Sequence, residues 1–200
     1  MAMNLLACGL SEAECHEDTL SVREAELSLA RRLGAPEEHV LTVQNYLANT
    51  YEKLGRLDKA LPRRRDVYSG RLKLNGEEHR ETFIAALNFA STMVDLQRVE
   101  EVKSLFRRTV PVARRVLGEN DFLTLVIRGN YAKVLYKDPS ATLDDLREAV
   151  STFEDTERIA RRVLGGGHPF TKGAECELRK SRAALRARET PPSPPPAESV

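Results

Sequence analysis

Between residues 40 and 54 the apolar side chains Val40, Val43, Leu47, Tyr51 and Leu54 recur every three or four positions. That spacing puts them on one face of a helix. Gly55 breaks the run, and a second begins through Leu57, Ala60, Leu61, Val67 and Leu72. The pair of patterns then returns. Phe83, Ala86, Phe89, Ala90, Met93 and Leu96 are followed by Val99, Val102, Leu105, Phe106, Val110 and Val116. Leu125, Tyr131 and Leu135 are followed by Leu146, Ala149, Val150, Phe153, Ile159 and Val163. The chain is predicted to be a series of antiparallel helix pairs.

The pairs keep a fixed step. Gly34, Gly76 and Gly118 lie 42 residues apart, and so do Ala48, Ala90 and Ala132. A repeat of this length reads as stacked supersecondary units that bury a core only against their neighbours. The alanines fall mid-way along each first helix, while Ala60, Val102 and Ala149 fall early in each second one. Small residues there let two helices approach to about 8–10 Å. The expected organisation is a partial repeat or capping helix over 1–33 and full repeats over 34–75, 76–117 and 118–164. A C-terminal capping helix over 165–189 and a disordered proline-rich tail over 190–200 complete it. The third repeat carries about five extra residues near Asp138, which should lengthen the turn between its helices. Pro111 falls inside a helix, where it removes one backbone bond.

The predicted helix ends agree with the step. Gly34, Gly76, Gly118 and Gly165 each follow a second helix, where a left-handed residue is wanted. Arg31-Arg32, Arg114-Arg115 and Arg161-Arg162 precede three of them and complement the helix dipole. The acidic pairs Glu37-Glu38, Glu77-Glu78, Glu100-Glu101 and Asp144-Asp145 lie at helix starts, where anions are favoured. His79, Asp121 and His168 occupy one register position, where His168 or Asp121 can cap the next helix. Pro169 suits a first helical position.

Composition narrows the function classes. Helix formers dominate, Trp is absent, and 31 basic side chains balance 30 acidic ones. The net charge of +1 supplies no global field for nucleic acid or acidic membrane. No apolar run is long enough to span a bilayer. Cys8, Cys15 and Cys176 are sparse and odd in number, which fits free thiols in a reducing, cytoplasmic setting. His79 and His168 recur as turn residues without a ligand set around them, so no metal is expected. Gly165-Gly166-Gly167 lacks the strand and Lys-Ser/Thr of a phosphate loop. No catalytic residues and no cofactor are expected, and the chain reads as a non-enzyme.

The motifs also carry a family resemblance. Leu164-Gly-Gly-Gly-His-Pro-Phe-Thr171 at a repeat start, Asn88-Phe-Ala90 and Asn130-Tyr-Ala132 in the first helices, and Arg114-Arg-Val-Leu-Gly118 and Arg161-Arg-Val-Leu-Gly165 at repeat ends resemble kinesin light chain-like tetratricopeptide repeats. The resemblance covers roughly residues 34–188. It departs in the first unit, where Tyr46 stands in the place of Asn88 and Asn130. It implies an all-α, right-handed α-solenoid with a cargo or scaffold role in general terms. Its concave groove would be lined by one face of the first helices: Asn45, Asn49 and Lys53; Asn88, Ser91 and Asp95; Asn130, Lys133 and Lys137. Asn side chains both donate and accept hydrogen bonds, so they can hold an extended peptide backbone. Asn88 and Asn130 are equally readable as inter-helix contacts that fix stacking.

The leading expectation is therefore a non-catalytic adaptor that takes a peptide or partner protein in its groove. An RNA-binding solenoid is the alternative, from the Arg clusters at 63–65, 107–108, 114–115 and 161–162. Neutral net charge and the absence of stacking aromatics weigh against it. A further reading, from a start in mid-array, is a fragment of a larger repeat protein without independent function.

Overall fold

A computed structural model describes residues 16–190. The expectations for 1–15, including Cys8 and Cys15, and for 191–200 lie outside the described residues. Eight helices make up the described chain: α1 (His16–Arg32), α2 (Glu37–Lys53), α3 (Leu57–Asn75), α4 (Arg80–Asp95), α5 (Val99–Leu117), α6 (Phe122–Lys137), α7 (Leu143–Leu164) and α8 (Pro169–Glu189). No strand occurs among the described residues. The chain divides into two units, Met1–Val116 and Leu117–Val200.

In the first unit, α1 packs on α2, α2 on α3, and α3 on α4. One core cluster joins Leu20, Leu27 and Ala30 of α1 to Val40, Val43, Leu47 and Tyr51 of α2 and Ala60 of α3. The small positions are sealed: Ala48 and Ala60 are 0% exposed, and Ala90 is 2%. Gly70 extends the same logic on α3. A Cβ at Gly70 would fall 3.0 Å from Leu41 Cδ1 and closer still to Cδ2. In the second unit, α7 packs on both α6 and α8. Leu125, Ile159 and Ala160 form its buried cluster, with Leu164 and Phe170 packed against it.

The helix ends follow local chemistry. His79 Nδ1 accepts from the Glu81 N–H at 3.2 Å, Asp121 Oδ1 from Leu123 N–H at 2.7 Å, and His168 Nδ1 from Phe170 N–H at 3.1 Å. Thr142 adds a reciprocal capping box with Asp145. The shifted first repeat has Pro36 at the same point, and no side chain caps α2. The glycines that stop α3 and α7 take positive φ as expected, but not in the left-handed helical well. Gly76 has φ 83° and ψ 173°, and Gly165 has φ 86° and ψ 156°. That region is essentially restricted to glycine.

The extra residues of the third repeat are shared between two places. The turn between α6 and α7 spans 138–142 where that between α4 and α5 spans 96–98, and α7 has 22 residues against 19 for α5. Asp138 Oδ1 braces the longer turn by accepting from Ser140 N–H at 2.8 Å and Ser140 Oγ at 2.7 Å. Pro111 sits within α5, which continues past it to Leu117.

Candidate functional site

On α3 the buried side chains are Ala60, Arg64, Val67 and Arg71. This strip has helical spacing, so a face that starts as packing alanine carries two guanidinium groups inward. Arg64 is 4% exposed. Its Nε donates to Glu52 Oε1 at 3.0 Å and its Nη2 to Glu52 Oε2 at 2.6 Å, a two-bond fork from α3 to α2. The remaining guanidinium hydrogens go to Asn45 Oδ1 and Asn49 Oδ1. Thr92 of α4 donates to Glu52, and Asn88 Nδ2 donates to Asn45 Oδ1 at 3.3 Å. One buried cation thus ties together three helices and three of the asparagines assigned to the groove.

Arg71 occupies the next position of the strip. Its Nη2 donates to the Thr42 hydroxyl at 3.0 Å, and its Nη1 reaches Glu38 at 3.4 Å. A second carboxylate, Glu81, lies 3.9 Å away. Both carboxylates are largely exposed, at 72% and 46%. Between α2 and α4, with Arg71 among its walls, a small cleft of about 130 Å³ opens to solvent. Its polar lining is Thr42, Asn45, Arg71, Glu81 and Asn88, and Tyr46, Val67 and Ile84 supply apolar surface. Tyr46 is itself braced on one face by Arg23, whose guanidinium carbon lies 4.6 Å from the ring centroid.

The predicted site residues therefore behave differently from one another. Asn45, Asn49 and Asn88 come together around Arg64. Lys53, Ser91 and Asp95 are exposed on the same two helices. In the second unit Asn130, Lys133 and Lys137 are exposed on α6. Asn130 donates from Nδ2 to the Val126 carbonyl of its own helix at 2.9 Å. It shares a register position with Asn88 but makes a different bond. The sequence reading missed Glu52 and Arg71 and took Arg64 only as part of the 63–65 basic cluster, although the 60–64–67–71 spacing marks both arginines as inward-facing.

The second unit has its own polar cluster. Tyr136 donates to Glu177 Oε2 at 2.5 Å, and Lys180 donates to Glu177 Oε1 at 2.8 Å. Burial first, and then the Glu177 carboxylate, push the Tyr136 hydroxyl well above its usual pKa. Of the arginine clusters, Arg115 pairs with Glu78 at 2.7 Å, Arg161 with Glu157 at 2.6 Å, and Arg162 bonds Asn120 at 2.7 Å. Among the described residues no group of His, Cys, Asp or Glu is placed to hold a metal ion, and no helix is long and apolar enough to cross a membrane.

Residues 40–81, which run from within α2 through α3 to the start of α4, match the family model of the tetratricopeptide repeat. That stretch is similar to one tetratricopeptide repeat. The fold of the chain is similar to that of kinesin light chain-like arrays of such repeats. The nearly identical TPR-like repeats of a kinesin light chain from Podosopora anserina superpose with a TM-score of 0.78 at 18% identity, covering 94% of this chain and 87% of that one. A singly substituted form of the same repeats gives 0.80 at the same identity and coverage. BtubC (BKLC) from P. vanneervenii gives 0.62 at 16% identity, covering 99% and 84%. No curated protein sequence matches the chain. Tetratricopeptide repeats generally mediate protein–protein interaction, and this fold is typically a non-catalytic scaffold.

Proposed function

We propose that this tetratricopeptide-repeat protein is a non-catalytic adaptor that holds an extended peptide segment of a partner protein. The observation that carries the reading is the α2–α4 cleft, where Asn45 and Asn88 face each other beside Tyr46 and Ile84. Side-chain amides suit a peptide backbone, and the apolar wall suits one anchoring side chain. Ser91 and Asp95 extend the α4 wall, and Asn49 and Lys53 continue the α2 wall. Asn130, Lys133 and Lys137 are a separate exposed set on α6, proposed as a further peptide contact. We read the chain as repeats over 34–75, 76–117 and 118–164 between partial terminal units, acting in the cytoplasm.

The test is peptide selection on the immobilised full chain from a displayed library of random 12-residue peptides. Selected peptides are then measured by fluorescence anisotropy against the wild type, Asn88→Ala and Lys133→Glu. Binding weakened by Asn88→Ala supports the cleft, and binding weakened by Lys133→Glu supports the α6 face. Unchanged binding by both variants overturns the assignment.

A further inference from the structure

We propose that Arg64, although itself buried, sets the hydrogen-bonding polarity of the cleft and so determines which part of a peptide each wall can read. The proposal rests on the reading of the cleft as a peptide site and deepens it.

The argument is an inventory of donors and acceptors. A guanidinium only donates, so whatever atom of Asn45 and Asn49 faces Arg64 must be the carbonyl oxygen. Both Oδ1 atoms are taken by Arg64. The Asn88 amide also donates to Asn45 Oδ1, which uses one Asn88 Nδ2 hydrogen and fixes the orientation of that side chain in turn. Flipping Asn45 would set its NH2 against the guanidinium, two donors, and flipping Asn88 would set two carbonyl oxygens against each other. A flipped amide would leave a buried charge-assisted bond unmade, which is costly.

Thr42 and Arg71 are already committed. The Thr42 hydroxyl donates to the Glu38 carbonyl at 2.8 Å and accepts from Arg71. What remains for a ligand on the α2 wall is the Asn45 Nδ2, a donor. What remains on the α4 wall is acceptors only, the Asn88 Oδ1 and the Glu81 carboxylate. A donor and an acceptor on neighbouring amides match the C=O and N–H of one residue in an extended chain. The occupant is therefore an extended backbone with its carbonyl toward α2 and its N–H toward α4. Arg64 is a positioning residue that touches no ligand.

Two variants separate this from a purely structural role. Asn45→Asp keeps an oxygen for Arg64 and for Asn88 but replaces the outward donor with an acceptor. Thermal stability should be held or raised, while affinity for a library-selected 12-residue peptide falls about tenfold. Arg64→Lys keeps a cation beside Glu52 but gives up the fork to Asn45 and Asn49. It should also weaken that peptide, and by less when Asn45→Asp is already present. A peptide with one backbone amide replaced by an ester at the contacted residue loses the N–H that Asn88 accepts, and should bind several-fold more weakly. If Asn45→Asp binds as the wild type does, the polarity proposal fails while the cleft reading stands. If the wild type retains no peptide at all, the cleft reading itself fails and takes the proposal with it.

Discussion

Arg64 and Glu52 meet through two nitrogen–oxygen bonds, at 3.0 and 2.6 Å, between neighbouring helices, with the Arg64 side chain only 4% exposed. A buried pair of this kind is weak evidence for net stability, because desolvation opposes the attraction. Removing one partner is another matter. Glu52→Ala leaves a buried guanidinium with only amide oxygens, and should destabilise the first unit by about 3 kcal/mol. Arg64→Met removes the cation instead and should cost less. Urea denaturation followed by circular dichroism checks the order of the two, and equal effects would contradict it.

The helix-stop glycines should resist substitution through backbone strain alone. A Cβ at Gly76 would meet nothing within 4 Å, yet the residue's φ is 83° with ψ 173°. Gly76→Ala should cost about 1–3 kcal/mol. Gly173 also has open space around it but lies inside α8. Gly173→Ala should stabilise by about 0.5–1 kcal/mol. The melting temperature of each variant, shifting in opposite directions, is the measurement.

Asn88 and Asn130 occupy one register position and should answer differently to alanine. Asn88→Ala removes the bond to Asn45 and should cost about 1 kcal/mol. Asn130→Ala removes only a contact to its own helix at an exposed site and should lie within about 0.5 kcal/mol of the wild type. Comparable losses at both positions would argue that Asn130 has a stacking role.

The register of the fold was legible in the sequence because its causes are local. Caps at Asp121 and His168 and the positive-φ glycines each follow from one residue and its immediate chain neighbours, while the repeat step itself marked the alanines at 48, 90 and 132 that are sealed between helices. The cleft was legible only as a row of asparagines. Arg64 sits in an Arg63-Arg64-Arg65 run that reads as a basic cluster for nucleic acid, and only helix phase separates the buried member from its exposed neighbour Arg65. Its partners lie 12 to 19 residues away, beyond any local motif. Even the repeat misleads here: Tyr46 replaces the equivalent asparagine, and its neighbour Asn45 supplies the contact to Asn88 instead.

The pH dependence of stability should show two limbs. Asp155 has its pKa lowered, chiefly by the hydrogen bond from Arg158 and also by Arg128. Its contribution is present above the usual carboxylate pKa and disappears as acid drives the pH through the lower, folded value. Asp155→Asn should flatten the acid limb of the second unit. Tyr51, Tyr68 and Tyr136 have raised pKa values, in each case first through burial. Their contribution is complete below the usual tyrosine pKa and is lost as pH rises through the higher folded values. Ultraviolet titration should therefore find these three phenols protonated beyond pH 10.0 in the folded chain and ionising together once it unfolds.

Gly70 gives the contact between α2 and α3 the character of a key in a lock. The notch that admits Leu41 is one residue wide, and the side chains on either side of it are Ser69 and Arg71. Sliding α3 by one position would drive a hydroxymethyl or a guanidinium stem into the Leu41 methyls. The two helices can therefore engage in one alignment only. That alignment is the one that aims Arg64 at the asparagines and Arg71 at the cleft, so a missing side chain on the packing face sets where the charged ones arrive.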